Sequence, residues 1–211
     1  MSDADLRRGS VADAIRRHRL IAVLRGVEPR DALLRLVDEL ADAGVRVFEI
    51  TLDAPEGAVD LAAVRSHLAG RDCLVGAGTI LRREQLDAAR GAGADFAVAP
   101  LLDLGLLRGA VEGGLPFVPG AMTPTEAAAA WDAGATFVKL FPASAVGPSF
   151  VRELRGPLPE VQLIPTGGID AANAGAFLAA GAAAVGIGSA ITRATPEERR
   201  ALVESVVTRP S

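Results

Sequence analysis

The chain has 211 residues, of which 50% are hydrophobic and 23% charged, and its formal net charge is −4. This apolar content excludes a disordered chain, and the length fits one domain. The mildly acidic balance argues against a nucleic-acid partner, and the apolar runs are too short for a membrane span of about 20 residues.

Short apolar runs alternate with longer amphipathic stretches along the whole chain. After a helical lead-in at 1–19, the predicted strands cover 20–25, 46–52, 73–79, 96–100, 116–120, 136–142, 162–166 and 184–188. Their nearly continuous apolar character is typical of parallel strands buried on both faces. We therefore expect one α/β domain over 1–211, a (β/α)8 TIM barrel with an N-terminal helix. A doubly wound open sheet is the alternative, but the first strand lacks the Gly-x-Gly-x-x-Gly fingerprint.

Helix boundaries are predicted from local chemistry. The segment Thr123-Pro124-Thr125-Glu126 supplies an N-cap hydroxyl, a proline in the first turn and an early acid. Ala-Gly pairs at 43–44, 92–93, 133–134 and 180–181 predict helix ends closed by a left-handed glycine.

The single lysine of the chain stands inside a predicted strand. All 21 other basic side chains are arginine, yet Lys139 lies in the apolar run 136–142. Burial disfavours the charged form of an amine, and a neutral amine can attack a carbonyl. Lys139 is on the sixth predicted strand and Glu49 on the second. Because side chains alternate along a strand, both residues can face the barrel axis near its mouth. We predict Lys139 as a nucleophile and Glu49 as its general acid/base; a structural ion pair is the alternative.

The ends of four strands carry further candidates. The turns Thr166-Gly167-Gly168 and Gly186-Ile187-Gly188-Ser189 predict a phosphate site, the alternative being turns that merely need glycine. Arg25 and Thr79 end the first and third strands and are candidates to hold a carboxylate. Their alternatives are a solvated arginine and a helix N-cap threonine.

The sequence has few cysteine and histidine residues that could form a disulfide or bind a metal. Cys73 is the only cysteine, which excludes an internal disulfide and a multi-cysteine zinc site. His18 and His67 lie in separate helical stretches without ligand spacing. The first ten residues lack an apolar signal segment. We expect a cytoplasmic protein without a metal site or a membrane anchor.

Five motifs resemble, in order, those of the KDPG/KHG aldolases, which act on 2-dehydro-3-deoxy-6-phosphogluconate and 4-hydroxy-2-oxoglutarate. The motifs are Phe48-Glu49-Ile50-Thr51-Leu52, Val75-Gly76-Ala77-Gly78-Thr79, Val118-Pro119-Gly120, Phe137-Val138-Lys139-Leu140-Phe141-Pro142 and Pro165-Thr166-Gly167-Gly168-Ile169. The resemblance covers about residues 10 to 205. It implies a class I aldolase on a (β/α)8 barrel, a homotrimer with neither metal nor organic cofactor.

The resemblance also implies roles for individual residues. Lys139 matches the Schiff-base lysine and Glu49 the general acid/base. The residues matched to substrate contacts are Thr79, Pro100 and Phe141. The residues matched to the distal phosphate end are Thr166, Gly167, Gly168 and Ser189, with Gly188 beside it.

One position departs from the family pattern. Many members carry an arginine four residues after the glutamate, where it binds the substrate carboxylate, and this chain has Asp53 there. Arg25 is the candidate replacement. The segment 144–150 also resembles the branch that acts on the galactonate epimer.

The resemblance predicts cleavage of 2-dehydro-3-deoxy-6-phosphogluconate to pyruvate and glyceraldehyde 3-phosphate. The galactonate epimer, or 4-hydroxy-2-oxoglutarate giving pyruvate and glyoxylate, are alternative substrates. A sugar-phosphate isomerase or epimerase and a non-catalytic phosphate sensor are alternative functions. Metal-dependent epimerases of this shape need a His/Asp cluster, which the sequence lacks.

Overall fold

A computed structural model describes residues 2–207, which form alternating strands and helices. The strands are β1 Leu20–Leu24, β2 Val47–Thr51, β3 Leu74–Gly78, β4 Ala97–Val98, β5 Phe117–Val118, β6 Gly120–Ala121, β7 Val138–Leu140, β8 Leu163–Pro165 and β9 Val185–Ile187. The helices are α1 Asp3–His18, α2 Arg30–Asp42, α3 Gly57–His67, α4 Arg83–Gly91, α5 Leu104–Glu112, α6 Pro124–Asp132, α7 Gly147–Leu154, α8 Ala174–Ala179, α9 Ser189–Thr192 and α10 Pro196–Val207.

The strands pair in parallel in two groups that together form a barrel. One sheet has the order β5-β4-β3-β2-β1-β9, and the other has the order β6-β7-β8. Thr166 pairs with Gly186 in a parallel bridge that connects the end of β8 to β9. At the other junction only Pro119 separates β5 from β6. The expected barrel fold is therefore confirmed.

The fifth predicted strand is two short strands rather than one. Proline has no N–H to donate to a ladder, so regular pairing stops at Pro119. Before it, β5 pairs with β4; after it, β6 pairs with β7. The Pro119 carbonyl still accepts a hydrogen bond from the Lys139 backbone N–H at 2.8 Å. The break thus lies on the strand that flanks the lysine.

Helix α1 closes the base of the barrel, and the expected N-terminal helix is confirmed. Its apolar face (Val11, Ala12 and Ile15) packs against the inward side chains of the strand starts. Those inward side chains are Ile21, Val47, Phe96, Phe137 and Ala184, with Leu74 half-buried beside them. The alternate strand residues pack outward against helices α2 to α10 in a separate apolar cluster. Inward and outward faces are therefore assigned without ambiguity.

The predicted helix boundaries agree with the structure. Thr123 and Glu126 form a capping box at the start of α6. The four Ala-Gly pairs place their glycines at positive φ: 109° at Gly44, 79° at Gly93, 95° at Gly134 and 102° at Gly181. Within residues 2–207, no helix has both the length and the apolar character needed to cross a membrane.

Candidate active site

Lys139 and Glu49 meet inside the barrel near its carboxyl end. Lys139 on β7 is 5% exposed and Glu49 on β2 is 2% exposed. The Lys139 Nζ lies 3.6 Å from the Glu49 Oε1, close enough for an ion pair but too far for a good hydrogen bond. Glu49 Oε1 has no hydrogen-bond partner among the described residues. The amine and the carboxylate are therefore adjacent but do not form a short hydrogen bond with each other.

Glycine on β3 makes room for the Glu49 carboxylate. A Cβ added to Gly78 would lie 2.6 Å from Glu49 Cγ and 2.7 Å from Cδ, closer than any real side chain tolerates. A Cβ at Gly76 would likewise overlap the Phe96 ring. The glycines of the Val75-Gly76-Ala77-Gly78 motif thus face inward and let a buried acid and a buried ring occupy the barrel.

Phe141 lies beside the lysine on the same inward face of the chain. The Lys139 Nζ is 5.3 Å from the centre of the Phe141 ring, within the range of a cation–π contact. The ring also lies close to Gly167, where an added Cβ would be 3.0 Å from Phe141 Cε2. Phe141 is therefore near both the lysine and the glycine-rich turn after β8.

The backbone of Pro100, just after β4, lies close to the strand that precedes the lysine strand. A Cβ added to Gly120 would lie 2.6 Å from the Leu101 backbone nitrogen and closer still to the Pro100 carbonyl. Gly120 in turn is the register partner of Lys139. The absence of a side chain at Gly120 therefore brings the backbone of Pro100 next to the lysine strand.

Arg25, Thr79 and Asp53 form a second cluster at the mouth. The Arg25 Nη2 donates to Thr79 Oγ1 at 2.9 Å, and the Arg25 Nη1 pairs with Asp53 Oδ2. Helix α4 has Arg82 as its N-cap, so Thr79 is not the N-cap residue of that helix. Arg25 is exposed but held from two sides. The position that departs from the family pattern thus contacts the proposed replacement directly.

Thr79 adopts a backbone conformation that is uncommon for its type. Its φ is 59°, in the left-handed region that β-branched residues rarely occupy. The Arg25 hydrogen bond to its hydroxyl helps to hold it there. Non-glycine residues held in this region cluster at functional sites, which makes Thr79 a candidate on geometry as well as on sequence.

The two glycine-rich turns lie side by side, because Thr166 bridges Gly186. Gly167 and Gly168 have φ of 89° and 74°, and Gly168 accommodates Ser144, whose Oγ would be 3.1 Å from an added Cβ. Thr166 is buried and its hydroxyl donates to the Ile164 carbonyl at 3.3 Å. Gly167 and Gly168 therefore require glycine for conformation, and Gly186 requires it for space, since an added Cβ there would overlap the Thr166 side chain; Gly188 requires it for neither.

A cleft opens at the mouth between β1 and β9. Its volume is about 510 Å³, and it is lined by Val23, Arg25, Gly26, Val27, Gly188, Ser189, Thr192 and Arg193. Two guanidinium groups and a serine hydroxyl border it, and no acidic side chain is among these residues. This lining favours an anionic ligand.

Cys73 and His18 lie away from this mouth. Cys73 immediately precedes β3 and His18 ends α1, both at the base of the barrel. Burial raises the pKa of the Cys73 thiol and lowers the pKa of the His18 imidazole. Within residues 2–207, no group of three or more His, Cys, Asp and Glu side chains is placed to hold a metal ion.

The family model described as KDPG and KHG aldolase matches residues 11–204. The chain belongs to this aldolase family. It is therefore an enzyme, a carbon–carbon lyase, and the isomerase and sensor alternatives are set aside.

Named relatives of this aldolase differ in the sugar acid that they cleave. It is 38% identical to 2-dehydro-3-deoxy-6-phosphogalactonate aldolase of Escherichia coli over 83% of this chain and 85% of that protein. It is 36% identical to 2-dehydro-3-deoxy-phosphogluconate aldolase of Haemophilus influenzae over 80% and 79%. Among solved structures, KDPG aldolase from Legionella pneumophila, with pyruvate captured as a covalent carbinolamine intermediate, is 27% identical with a TM-score of 0.82, covering 95% and 98%.

Sequence reasoning overlooked several residues at the mouth of this aldolase. The sequence identifies Gly78 only as part of a motif and does not reveal that it clears space for Glu49. Arg193 lines the anionic cleft but lies four residues beyond the predicted phosphate turn 186–189. Asp53 was noted as a departure, and its ion pair with Arg25 is a contact between separate loops that sequence spacing does not reveal.

Proposed function

We propose that this aldolase works through a Schiff base on Lys139. The observation that carries the proposal is the buried Lys139 amine, 3.6 Å from the Glu49 carboxylate at the carboxyl end of the barrel. In its neutral form, after giving up a proton, the amine attacks the C2 ketone of a 2-keto-3-deoxy sugar acid, and loss of water gives an iminium. The carbinolamine captured in the Legionella pneumophila enzyme is the step before that loss of water, which supports the same route here.

The iminium then acts as the electron sink for bond cleavage. Glu49 takes the proton of the C4 hydroxyl, directly or through a water. As C4 becomes an aldehyde, the electron pair of the C3–C4 bond moves toward the iminium and leaves an enamine on Lys139. Glu49 returns the proton to C3, and hydrolysis of the resulting iminium releases pyruvate and the free amine.

The two ends of the substrate have separate candidate anchors. Arg25 and Thr79, joined at 2.9 Å, offer a guanidinium and a hydroxyl to the C1 carboxylate. Thr166, Gly167, Gly168, Gly188 and Ser189 surround the expected position of a 6-phosphate. Pro100 and Phe141 would line the space between the ends. The cationic lining of the cleft beside Ser189 supports a phosphorylated substrate.

We propose 2-dehydro-3-deoxy-6-phosphogluconate as the substrate, cleaved to pyruvate and glyceraldehyde 3-phosphate. A specific observation favours the galactonate epimer as second candidate, since a galactonate aldolase is 38% identical to this chain. Cleavage of 4-hydroxy-2-oxoglutarate to pyruvate and glyoxylate is the third possibility within the family. A coupled pyruvate-release assay across both epimers, with and without the phosphate, and with 4-hydroxy-2-oxoglutarate, ranks these by kcat/KM.

Borohydride trapping tests the chemistry itself. Reduction in the presence of pyruvate should add irreversible mass at Lys139, located by peptide mass spectrometry. Lys139→Ala and Lys139→Arg should both be inactive and untrapped, because a guanidinium stays protonated and cannot form the imine. Full activity in either variant, or an adduct at another residue, would exclude this mechanism.

We further propose that the chain is a single cytoplasmic domain that assembles into a homotrimer without metal or organic cofactor. Exposed apolar side chains at the mouth support self-association: Leu81, Leu101 and Met122 on loops and Leu104 at the start of α5. Size-exclusion chromatography with light scattering should give the trimer mass, and Leu101→Asp should reduce it. A monomeric wild type would contradict the assembly proposal and leave the Schiff-base chemistry untouched.

A further inference from the structure

Thr51 is a buried hydroxyl with no use in the fold. It ends β2, is 2% exposed, and its Oγ1 has no hydrogen-bond partner among the described residues. A buried polar group left unpaired destabilises the fold, and valine would fill the same volume without that penalty. A hydroxyl in this place therefore points to a partner that comes from outside the chain.

The direction of the Thr51 side chain follows from strand alternation. Val47 belongs to the inner cluster at the base, whereas Phe48 and Ile50 pack outward. Glu49 and Thr51 therefore share the inward face with Val47, and Thr51 lies one pleat nearer the mouth.

The Glu49 side chain extends toward the mouth, so that its carboxylate lies at the same height along the barrel axis as Thr51. Gly78 is the register partner of Thr51, and an added Gly78 Cβ would lie 2.7 Å from Glu49 Cδ. Two buried oxygen atoms without a hydrogen-bond partner among the described residues, Glu49 Oε1 and Thr51 Oγ1, thus occur at one level of the barrel, and the Glu49 oxygen lies 3.6 Å from the Lys139 Nζ. One accepts hydrogen bonds and the other can donate one.

We propose that Thr51 and Glu49 together bind the oxygen atom through which the reaction's proton passes. The Glu49 carboxylate accepts the proton of that oxygen, and the Thr51 hydroxyl donates a hydrogen bond to its lone pair. When the proton moves to Glu49, the Thr51 hydrogen bond stabilises the negative charge that develops on the oxygen. The oxygen belongs either to the C4 hydroxyl or to a relaying water, and the inference rests on the proposed aldolase function.

Thr51→Val is the decisive variant, because it removes the hydroxyl and keeps the shape. We expect kcat for cleavage to fall by at least about tenfold, the lower end for loss of a hydrogen bond to a charged group, with KM within about threefold. Thr51→Ser keeps the hydroxyl and should recover most of kcat. The unfolding temperature of Thr51→Val should equal or exceed that of the wild type, since a buried unpaired hydroxyl is gone.

The chain offers a matched control at the opposite end of the barrel. Thr136 is 4% exposed, its Oγ1 also lacks a partner among the described residues, and it precedes β7 at the base. Thr136→Val should leave kcat and KM unchanged. Wild-type kcat in Thr51→Val, or equal losses in Thr51→Val and Thr51→Ser, would overturn the proposal, because the hydroxyl would then be irrelevant or only packing would matter.

Deuterium exchange into the methyl group of pyruvate identifies the oxygen. Pyruvate has no C4 hydroxyl, so slowed exchange in Thr51→Val assigns the Thr51 contact to a relaying water. Unchanged exchange with slowed cleavage assigns it to the C4 hydroxyl; both results support the proposal. Borohydride trapping of pyruvate should remain complete in Thr51→Val. Failure to trap the wild type would instead reject the Schiff-base function itself.

Discussion

The two ends of the barrel differ in the surroundings of the basic group that lies next to the lysine strand, β7. Phe137 and Phe141 both face inward on the lysine strand, and each has a cation near its ring. At the base the cation is Arg16, 5.5 Å from the Phe137 ring, and its guanidinium also bonds Gln162 at 2.7 Å and Asp13 at 2.8 Å. At the mouth the cation is Lys139, buried and loosely paired with Glu49 at 3.6 Å.

Along the barrel axis, the base therefore serves mainly stability and the mouth mainly catalysis. The base is sealed by α1, and its inward side chains are apolar. At the mouth the inward positions carry the Lys139 amine, the Glu49 carboxylate and the Thr51 hydroxyl, and the Glu49 Oε1 and Thr51 Oγ1 have no hydrogen-bond partner among the described residues. Such groups weaken a core, so the fold can tolerate them only above a well-packed base. Variants at the mouth should therefore change rates, and variants at the base should change unfolding.

Gly78→Ala should have the largest effect on catalysis. Its methyl group would overlap Glu49 Cγ and Cδ, so the carboxylate must leave the position in which it lies 3.6 Å from the Lys139 Nζ. We expect kcat to fall by about 10²- to 10⁴-fold, the range for loss of general acid–base catalysis. Steady-state kinetics beside Glu49→Gln gives the reference loss.

A second glycine provides the control for that substitution. Gly91 ends α4, and an added Cβ there meets no atom within 4 Å. Gly91→Ala should keep wild-type kcat. If Gly78→Ala also keeps it, Glu49 is either not displaced or not required.

Ile15→Ala tests the base. Ile15 is fully buried in α1 against the inner apolar cluster. Loss of its side chain should lower the free energy of unfolding by about 2–5 kcal/mol, measured in urea. At temperatures well below unfolding, kcat should stay within about twofold of the wild type. A large fall in kcat of the folded variant would show that the two ends are coupled.

The sequence was sufficient for the barrel and for the central pair. Lys139 stood out because it is the one lysine and interrupts an apolar strand, and alternation on two strands turned both Lys139 and Glu49 inward. The division at Pro119 was missed, since periodicity over five residues looks the same for one strand or two.

Other features depend on contacts between distant segments. The sequence places Thr51 near the end of a predicted strand and Thr136 at the start of another, but it does not reveal that both hydroxyls lack a hydrogen-bond partner among the described residues. The clearance at Gly78 and the pairing of Arg25 with Asp53 likewise join residues of different strands. Spacing along one strand cannot reveal them.

Arg25→Gln should weaken binding rather than turnover. Loss of a charged hydrogen bond to the substrate carboxylate should raise KM by about 10- to 100-fold, with a smaller change in kcat. Asp53→Asn is the control, because the amide oxygen can still accept from Arg25 while a competing negative charge is removed. We expect no rise in KM for Asp53→Asn. An unchanged KM in Arg25→Gln would remove Arg25 from the carboxylate site.

Arg193→Ala should produce a smaller effect that depends on the phosphate. Arg193 is an exposed residue lining the cleft beside Ser189, so its attraction for an anion is screened by salt. We expect KM for the 6-phosphorylated substrate to rise by about two- to fivefold at low ionic strength. KM for the unphosphorylated acid should not change, and Arg200→Ala on α10 should affect neither. Equal changes for both substrates would argue against a phosphate contact.

Glu126→Gln should have the smallest effect, confined to stability. The Met122 backbone N–H, which donates to the Glu126 carboxylate at 2.9 Å, and then the Thr123 hydroxyl hold the pKa of Glu126 below its usual range. A lowered pKa means that folding favours the ionised form of Glu126. Its contribution to stability is therefore present above the ordinary glutamate pKa of about 4.3 and is lost as the pH falls through the pKa in the folded protein. The variant should lose about 0.3–1 kcal/mol of unfolding free energy at neutral pH. In urea titrations this difference should shrink as the pH falls below the ordinary glutamate pKa and disappear once the carboxyl is protonated in the folded protein, while kcat at neutral pH stays unchanged. A difference that persists in acid would mean that the side chain acts through packing and not through its charge.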